Sequence, residues 1–215
     1  EGGKIFLKWN VLTIGIIILI ILSVSFPISL GFIDNRSFII GSSNILYVGG
    51  GGPGNYTSIQ AAIDDAIDGD TIFVFDESSP YYENNIIISK SINLIGENKD
   101  TTIIDGEDED ILFFLAHNVT ICEFKIQNGR YGFRLESCSY SFFDNNIFYN
   151  NRLDGILMSN SSYNTISNNF FQNNDYGLSL DWTLSAPGPC YYNNILNNTI
   201  SNSSYRGIQV SLYQK

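Results

Sequence analysis

Cations and metal-binding side chains are scarce in this sequence. Its 215 residues hold 11 Lys and Arg against 22 Asp and Glu, with one His, one Met and three Cys. The formal net charge is −11. With so few cations, and none clustered beyond the N-terminal segment, the chain lacks what phosphate recognition requires, so nucleic acid is not an expected partner. The only imidazole, His117, precedes a strand-like run, and there is no Gly-x-Ser-x-Gly elbow, so serine-type nucleophilic catalysis has no support. The three cysteines, Cys122, Cys138 and Cys190, cannot all pair internally. One disulfide, or three thiols acting as small hydrophobes, fits the count.

What the chain has in quantity is asparagine, glycine and short apolar runs, arranged as a repeat. Four units follow one another: VTICEFKIQNGRYGFRLES, SFFDNNIFYNNRLDGILMSN, NTISNNFFQNNDYGLSLDW and NNILNNTISNSSYRGIQVS. They align on Ile121, Phe143, Ile166 and Ile195, then on Ile126, Phe148, Phe171 and Ile200. Glycines follow at Gly132, Gly155, Gly177 and Gly207. After each glycine, apolar residues alternate with others, the period of a strand with one buried face. A repeat of about 22 residues built from short strands and Asn/Gly corners predicts a parallel β-helix, each coil packing only on its neighbours. Asn and Gly suit such corners because both tolerate positive φ. Stacking predicts an amide ladder at Asn128, Asn150, Asn173 and Asn202, the alternative being that these asparagines only serve the turns. A second column, Asn146, Asn169 and Asn198, starts one coil later, where Phe124 takes the equivalent place.

The chain before the repeats divides into three parts. Residues 1–33 carry Lys4 and Lys8 and then VLTIGIIILIILSVSFPISLGFI, which reads as a signal peptide or a membrane anchor. Residues 34–54 read as a linker ending in VGGGGPG. The β-helix domain is then expected over residues 55–215. It opens on an amphipathic helix with Ile59, Ala62, Ile63, Ala66 and Ile67 on one face, Thr57 or Ser58 as cap and Gly69 as stop. This helix would cover the open end of the first coil. Strands at TIFVF, NIIIS, SINLIG, TTIIDG and ILFFLA add about two irregular coils before the four regular ones. The abrupt stop at Lys215 suggests further coils beyond it.

The stretch SIQAAIDDAIDGDTIFVF … YYENNIIISKSINLIGENKDTTIIDG resembles the start of pectin-lyase-like right-handed parallel β-helix proteins. The repeats, such as NTISNNFFQNNDYGLSL, resemble those of NosD-type proteins. The likeness covers residues 56–215. It implies a right-handed all-β solenoid and, for enzymes of the group, catalytic residues on the outer face of adjacent coils, with Ca²⁺ in the lyases. Some NosD-type proteins are associated with copper-centre maturation. With one His, one Met (Met158) and no clustered Cys, that role is not expected here.

The outward positions after the glycines supply the catalytic candidates Glu136, Asp181 and Arg134. Glu136 and Asp181 stand two coils apart, about 9.6 Å at 4.8 Å per coil, against roughly 6.5–9.5 Å for an inverting pair. A solvated face is the simpler reading. The acidic run DGEDED at residues 105–110 could take Ca²⁺ but lacks EF-hand spacing, and a solvated turn accounts for it. The long corner DWTLSAPGPCYY places Asp181, Trp182, Tyr191 and Tyr192 where a sugar ring could stack. Sequons at Asn35, Asn55, Asn118, Asn160, Asn197 and Asn202 are potential glycan sites. The expected function is that of an exported cell-surface or envelope protein. It would be non-catalytic, require no cofactor, present a face to a polysaccharide or surface protein, and meet the membrane through its N-terminal segment. A polysaccharide lyase or glycosidase is the alternative.

Overall fold

The computed structural model describes residues 43–181 and 188–211. The expected signal or anchor segment and Trp182 lie outside them. Among the described residues no helix is long and apolar enough to cross a membrane.

Three parallel sheets wrap one core. The first is β1 (Ile45–Val48), β2 (Thr71–Val74), β5 (Asn93–Gly96), β8 (Thr120–Cys122), β11 (Phe142–Asp144), β14 (Thr165–Ser167) and β17 (Asn194–Leu196). The second is β3 (Tyr81–Tyr82), β6 (Ile103–Asp105), β9 (Lys125–Gln127), β12 (Ile147–Tyr149), β15 (Phe170–Gln172) and β18 (Thr199–Ser201). The third is β4 (Ile86–Ile88), β7 (Leu112–Phe114), β10 (Phe133–Glu136), β13 (Asp154–Ser159), β16 (Tyr176–Leu180) and β19 (Arg206–Val210). One strand from each sheet makes a coil, so β2 to β19 form six coils and β1 adds a strand ahead of them.

The register is the one the apolar spacing predicts. Ile121, Phe143, Ile166 and Ile195 pair in sequence, as do Ile126, Phe148, Phe171 and Ile200. Their side chains stack along the interior, with Phe148 and Phe171 parallel at 4.8 Å between ring centroids. The last coil is less covered: Ile208 is 47% exposed and Val210 57%.

Asparagine and glycine divide the labour of the corners. Asn128, Asn150, Asn173 and Asn202 have φ of 56°, 55°, 57° and 52°. Within this column Asn150 donates to Asn128 Oδ1 at 2.8 Å, but Asn150, Asn173 and Asn202 are exposed. Their shared feature is the left-handed turn, so the turn reading describes them better than a buried ladder. The second expected column is a true buried ladder. Phe124 N–H donates to Asn146 Oδ1, Asn146 N–H to Asn169 Oδ1 and Asn169 N–H to Asn198 Oδ1, at 2.9–3.1 Å. Each of these amides also donates back to a carbonyl of the preceding coil, on Ile121, Phe143 and Ile166 respectively. A further ladder, not anticipated, runs from Gly129 N–H to Asn151 Oδ1 and from Asn151 N–H to Asn174 Oδ1. The repeat glycines do not take positive φ. A Cβ on Gly132, Gly155 or Gly177 would lie 2.5–2.7 Å from the carbonyl oxygen of the next glycine in the column, so close approach selects them.

The N-terminal region differs in three places from expectation, the first being Tyr81–Tyr82, where no strand was expected and β3 stands. Ile45–Val48, read as linker, is strand β1, paired in register with β2. Helix α1 (Ile59–Asp65) is shorter than expected and leaves Ile67 54% exposed, while Ile59, Ala62 and Ile63 are buried against β1, β2 and β4. Ser58 caps it by accepting from Ala61 N–H. Coil one holds both helix ends. The Glu83 carboxylate accepts from Ile59 and Gln60 N–H, and Lys90 Nζ donates to the carbonyls of Ile63, Asp64 and Ala66. Each charge has the sign that the helix dipole favours.

Asn169→Ala strips acceptors from buried donors and is expected to cost roughly 3 kcal/mol. Asn173→Gly keeps the left-handed corner and should cost about 1 kcal/mol or less. Denaturant midpoints of the two variants test this difference, and equal losses would contradict it.

Candidate functional site

The outer face of the third sheet gathers the charged candidates. Arg134 on β10 projects beside Glu136, with Arg134 Nη2 at 2.5 Å from Glu136 Oε1. Its other amino group reaches Asp110 at 3.2 Å, and Asp110 is also held by Arg130 through two bonds of 2.6 and 2.9 Å. Four charges of alternating sign therefore form one network across the second and third coils. Asp110 and Glu136 are buried although they point outward. The face is thus not the solvated surface expected: Leu157 and Ser159, one coil on in the Arg134 and Glu136 columns, and Ser179, two coils on, are buried too.

Asp181 follows β16 and lies in the Glu136 and Ser159 column, two coils from Glu136 as its spacing predicts. The structure thus joins Arg134 to Glu136 and leaves Asp181 two coils further on. Sequence reasoning missed Asp154, at the start of β13. Its carboxylate is buried and accepts a hydrogen bond from Ser179 Oγ. Burial pushes its pKa up from 3.8 to about 7. The Ser179 bond opposes that rise, and the charges of Asp181 and Asp175 add to it. A carboxyl that exchanges its proton near neutrality has the property a general acid or base needs. No spacing signal marked Asp154, because its burial comes from the three-dimensional packing.

A second constellation lies at the corner between the third and first sheets. Tyr140, Tyr163 and Tyr192 occupy successive coils at left-handed φ of 59°, 61° and 53°. Their rings stack at 5.0 Å per step, with planes 6° and 20° apart, and they are 61, 48 and 74% exposed. Tyr191 is 59% exposed and adjoins Tyr192. Beside the rings run His117, Ser139, Ser162 and Tyr191, linked coil to coil from Ser139 N–H to His117 Nδ1, Ser162 N–H to Ser139 Oγ and Tyr191 N–H to Ser162 Oγ. The sequence pointed to Tyr191 and Tyr192. Tyr140 and Tyr163 stand at the same repeat position and were legible from the coil period.

The acidic run at residues 105–110 does not converge on one point. Asp105 accepts from Gln127 and Asn128 side chains, while Asp110 faces the arginines. Among the described residues no group of three or more His, Cys, Asp or Glu is placed to hold a metal ion. All three cysteines are free thiols. Burial pushes Cys122 up to about 12 and Cys138 up to about 11, and raises Cys190.

A three-sheeted parallel solenoid with buried asparagine ladders is a parallel β-helix. Residues 63–214 match the family described as periplasmic copper-binding protein (NosD), and the chain belongs to that family. In structure it is similar to an alginate lyase from Paenibacillus sp. str. FPU-7, with a TM-score of 0.61 and 15% identity over 74% of this chain and 58% of that chain. At that identity the likeness concerns the fold. No curated protein matches the sequence. The copper of the family description meets an unsuitable donor set here. Copper selects imidazole, thiolate and thioether ligands. His117 Nδ1 already accepts a hydrogen bond, Met158 is in the core, and the thiols of Cys122 and Cys138 are held protonated by burial.

Asp154 makes stability depend on pH. Its folded pKa exceeds its unfolded one, so the folded state alone binds the proton between pH 3.8 and about 7. Asp154 therefore favours folding at low pH, and this contribution is lost as pH rises through that window. Asp154→Asn removes the dependence. The variant should match wild type near pH 4 and exceed it at pH 8 by a few kcal/mol, at about 1.4 kcal/mol per pKa unit. Thermal melts across this range decide it, and a wild-type advantage at pH 8 would contradict the assignment.

Proposed function

We propose that this protein is an exported envelope β-helix that binds carbohydrate without turning it over. The single observation that carries the reading is the exposed tyrosine row Tyr140, Tyr163 and Tyr192, with Tyr191 beside it. The ring faces cover one another, so the row offers edges and phenol hydroxyls, flanked by Ser139 and Ser162. An extended polysaccharide lying along the solenoid meets equivalent groups at every coil. Aromatic groups with a polar tip suit such half-wet contacts. The net charge of −11 favours an uncharged glycan over a polyanionic one. In this reading residues 1–33 deliver the chain across or onto a membrane, and α1 closes the first coil. A surface protein is the other class of occupant. The periplasmic description of the NosD family supports export.

A polysaccharide lyase or glycosidase is the second reading. Asp154 favours it, since its proton exchanges near neutral pH and the Arg134–Glu136 pair occupies the same sheet face. Incubating the protein with a polysaccharide panel, with and without Ca²⁺, separates the two. The binding reading expects retention on a neutral glycan without product release. It expects Tyr163→Ala and Tyr192→Ala to weaken that retention about tenfold, roughly 1.4 kcal/mol. Release of unsaturated or reducing ends, abolished by Asp154→Asn, would replace it with the enzymatic one.

A further inference from the structure

A cavity of about 350 Å³ opens at the N-terminal end of the first sheet, away from both constellations above. Tyr47 and Phe75 form its apolar wall, stacked at 5.8 Å and 23°, and Phe73 braces both edge-on. Glycines 50, 51 and 52 with Asn55 line another side. Glu77 and Glu97 complete the lining, which contains no Lys or Arg. Asp76 lies next to them, its N–H donating to Glu97 Oε2 at 3.1 Å.

The lining is preorganised. Gly49 and Gly50 have φ of 72° and 65°, and Asn55 Nδ2 ties the loop by donating to Gly49 O at 2.6 Å. Gly50 N–H donates to Ser78 Oγ, next to the carboxylates. Glu97 titrates above its ordinary value, first through burial and also through the charges of Asp76 and Glu77. The pocket thus concentrates negative charge against an aromatic wall. A cation placed there relieves the crowding of the carboxylates and gains the attraction of the ring faces. A hard metal ion needs several oxygen ligands, and among the described residues no group of three or more His, Cys, Asp or Glu is placed to hold one. The apolar wall suits a cation with a carbon surface.

We propose that this cavity binds a small organic cation, an alkylammonium group held by Glu77 and Glu97 and packed on Tyr47 and Phe75. The site is independent of the tyrosine row.

The test is titration of the full chain with choline, followed by NMR or calorimetry. Its neutral isostere, with a quaternary carbon in place of the nitrogen, is titrated in parallel. Choline should bind saturably and the isostere at least tenfold more weakly. The double variant Glu77→Gln, Glu97→Gln should lose at least tenfold in affinity. Gly51→Leu reports on the cavity without touching a charge. Gly51 lines the cavity, lacks positive φ, and a Cβ on it meets no atom within 4 Å, so the variant folds and should block binding. Absence of saturable choline binding, equal binding of the isostere, or unchanged affinity in the double variant would overturn the proposal. So would displacement of choline by Ca²⁺ at matched ionic strength, which would give the pocket to a metal ion.

Discussion

Everything in this protein depends on one translation. Strands of successive coils repeat at a spacing of about 4.8 Å, so any residue must be compatible with its counterpart above and below. Few side chains satisfy this when buried. Aliphatic groups and phenylalanine do, and they fill the columns through Phe143, Phe148 and Phe171. Asparagine does so in a different way. Its amide accepts from one coil and donates to the same coil, which is what Asn146, Asn169 and Asn198 do. Glycine does so by having no side chain where two backbones nearly touch.

This constraint also decides what could be read in advance. The register and the strands of the four regular coils were legible because each rests on a recurring residue type at a fixed interval. The exchange of roles between neighbouring asparagines was not. Asn150 and Asn151 are adjacent and chemically identical, yet one is exposed at a left-handed turn and the other is buried in a ladder. Only the backbone path separates them. Strand β1 was hidden for a related reason: the glycines after it suggested flexibility, whereas Gly49 is there because a side chain would strike the Tyr81 hydroxyl.

The candidate sites show the same limit more sharply. Arg134 and Glu136 were identified by their outward parity, and they do meet. Asp154 occupies a column with Tyr176 and Arg206 and so belongs to no periodic pattern. Its perturbation comes from burial and from charges on the next coil. Tyr140 and Tyr163 did follow the period, but their exposure, which gives them interest, is a property of the corner and not of the repeat.

The ladders have a direction. Asn146 grips the coil before it through both its oxygen and its nitrogen, and Asn169 and Asn198 repeat the gesture. The first coil is pinned to its helix by Glu83 and Lys90, which come from that same coil. Each coil therefore finds its template already made by the residues that precede it. A chain that emerges amino terminus first can assemble as it appears, winding one turn at a time onto a finished surface, with no wait for distant sequence and no long loop left to close.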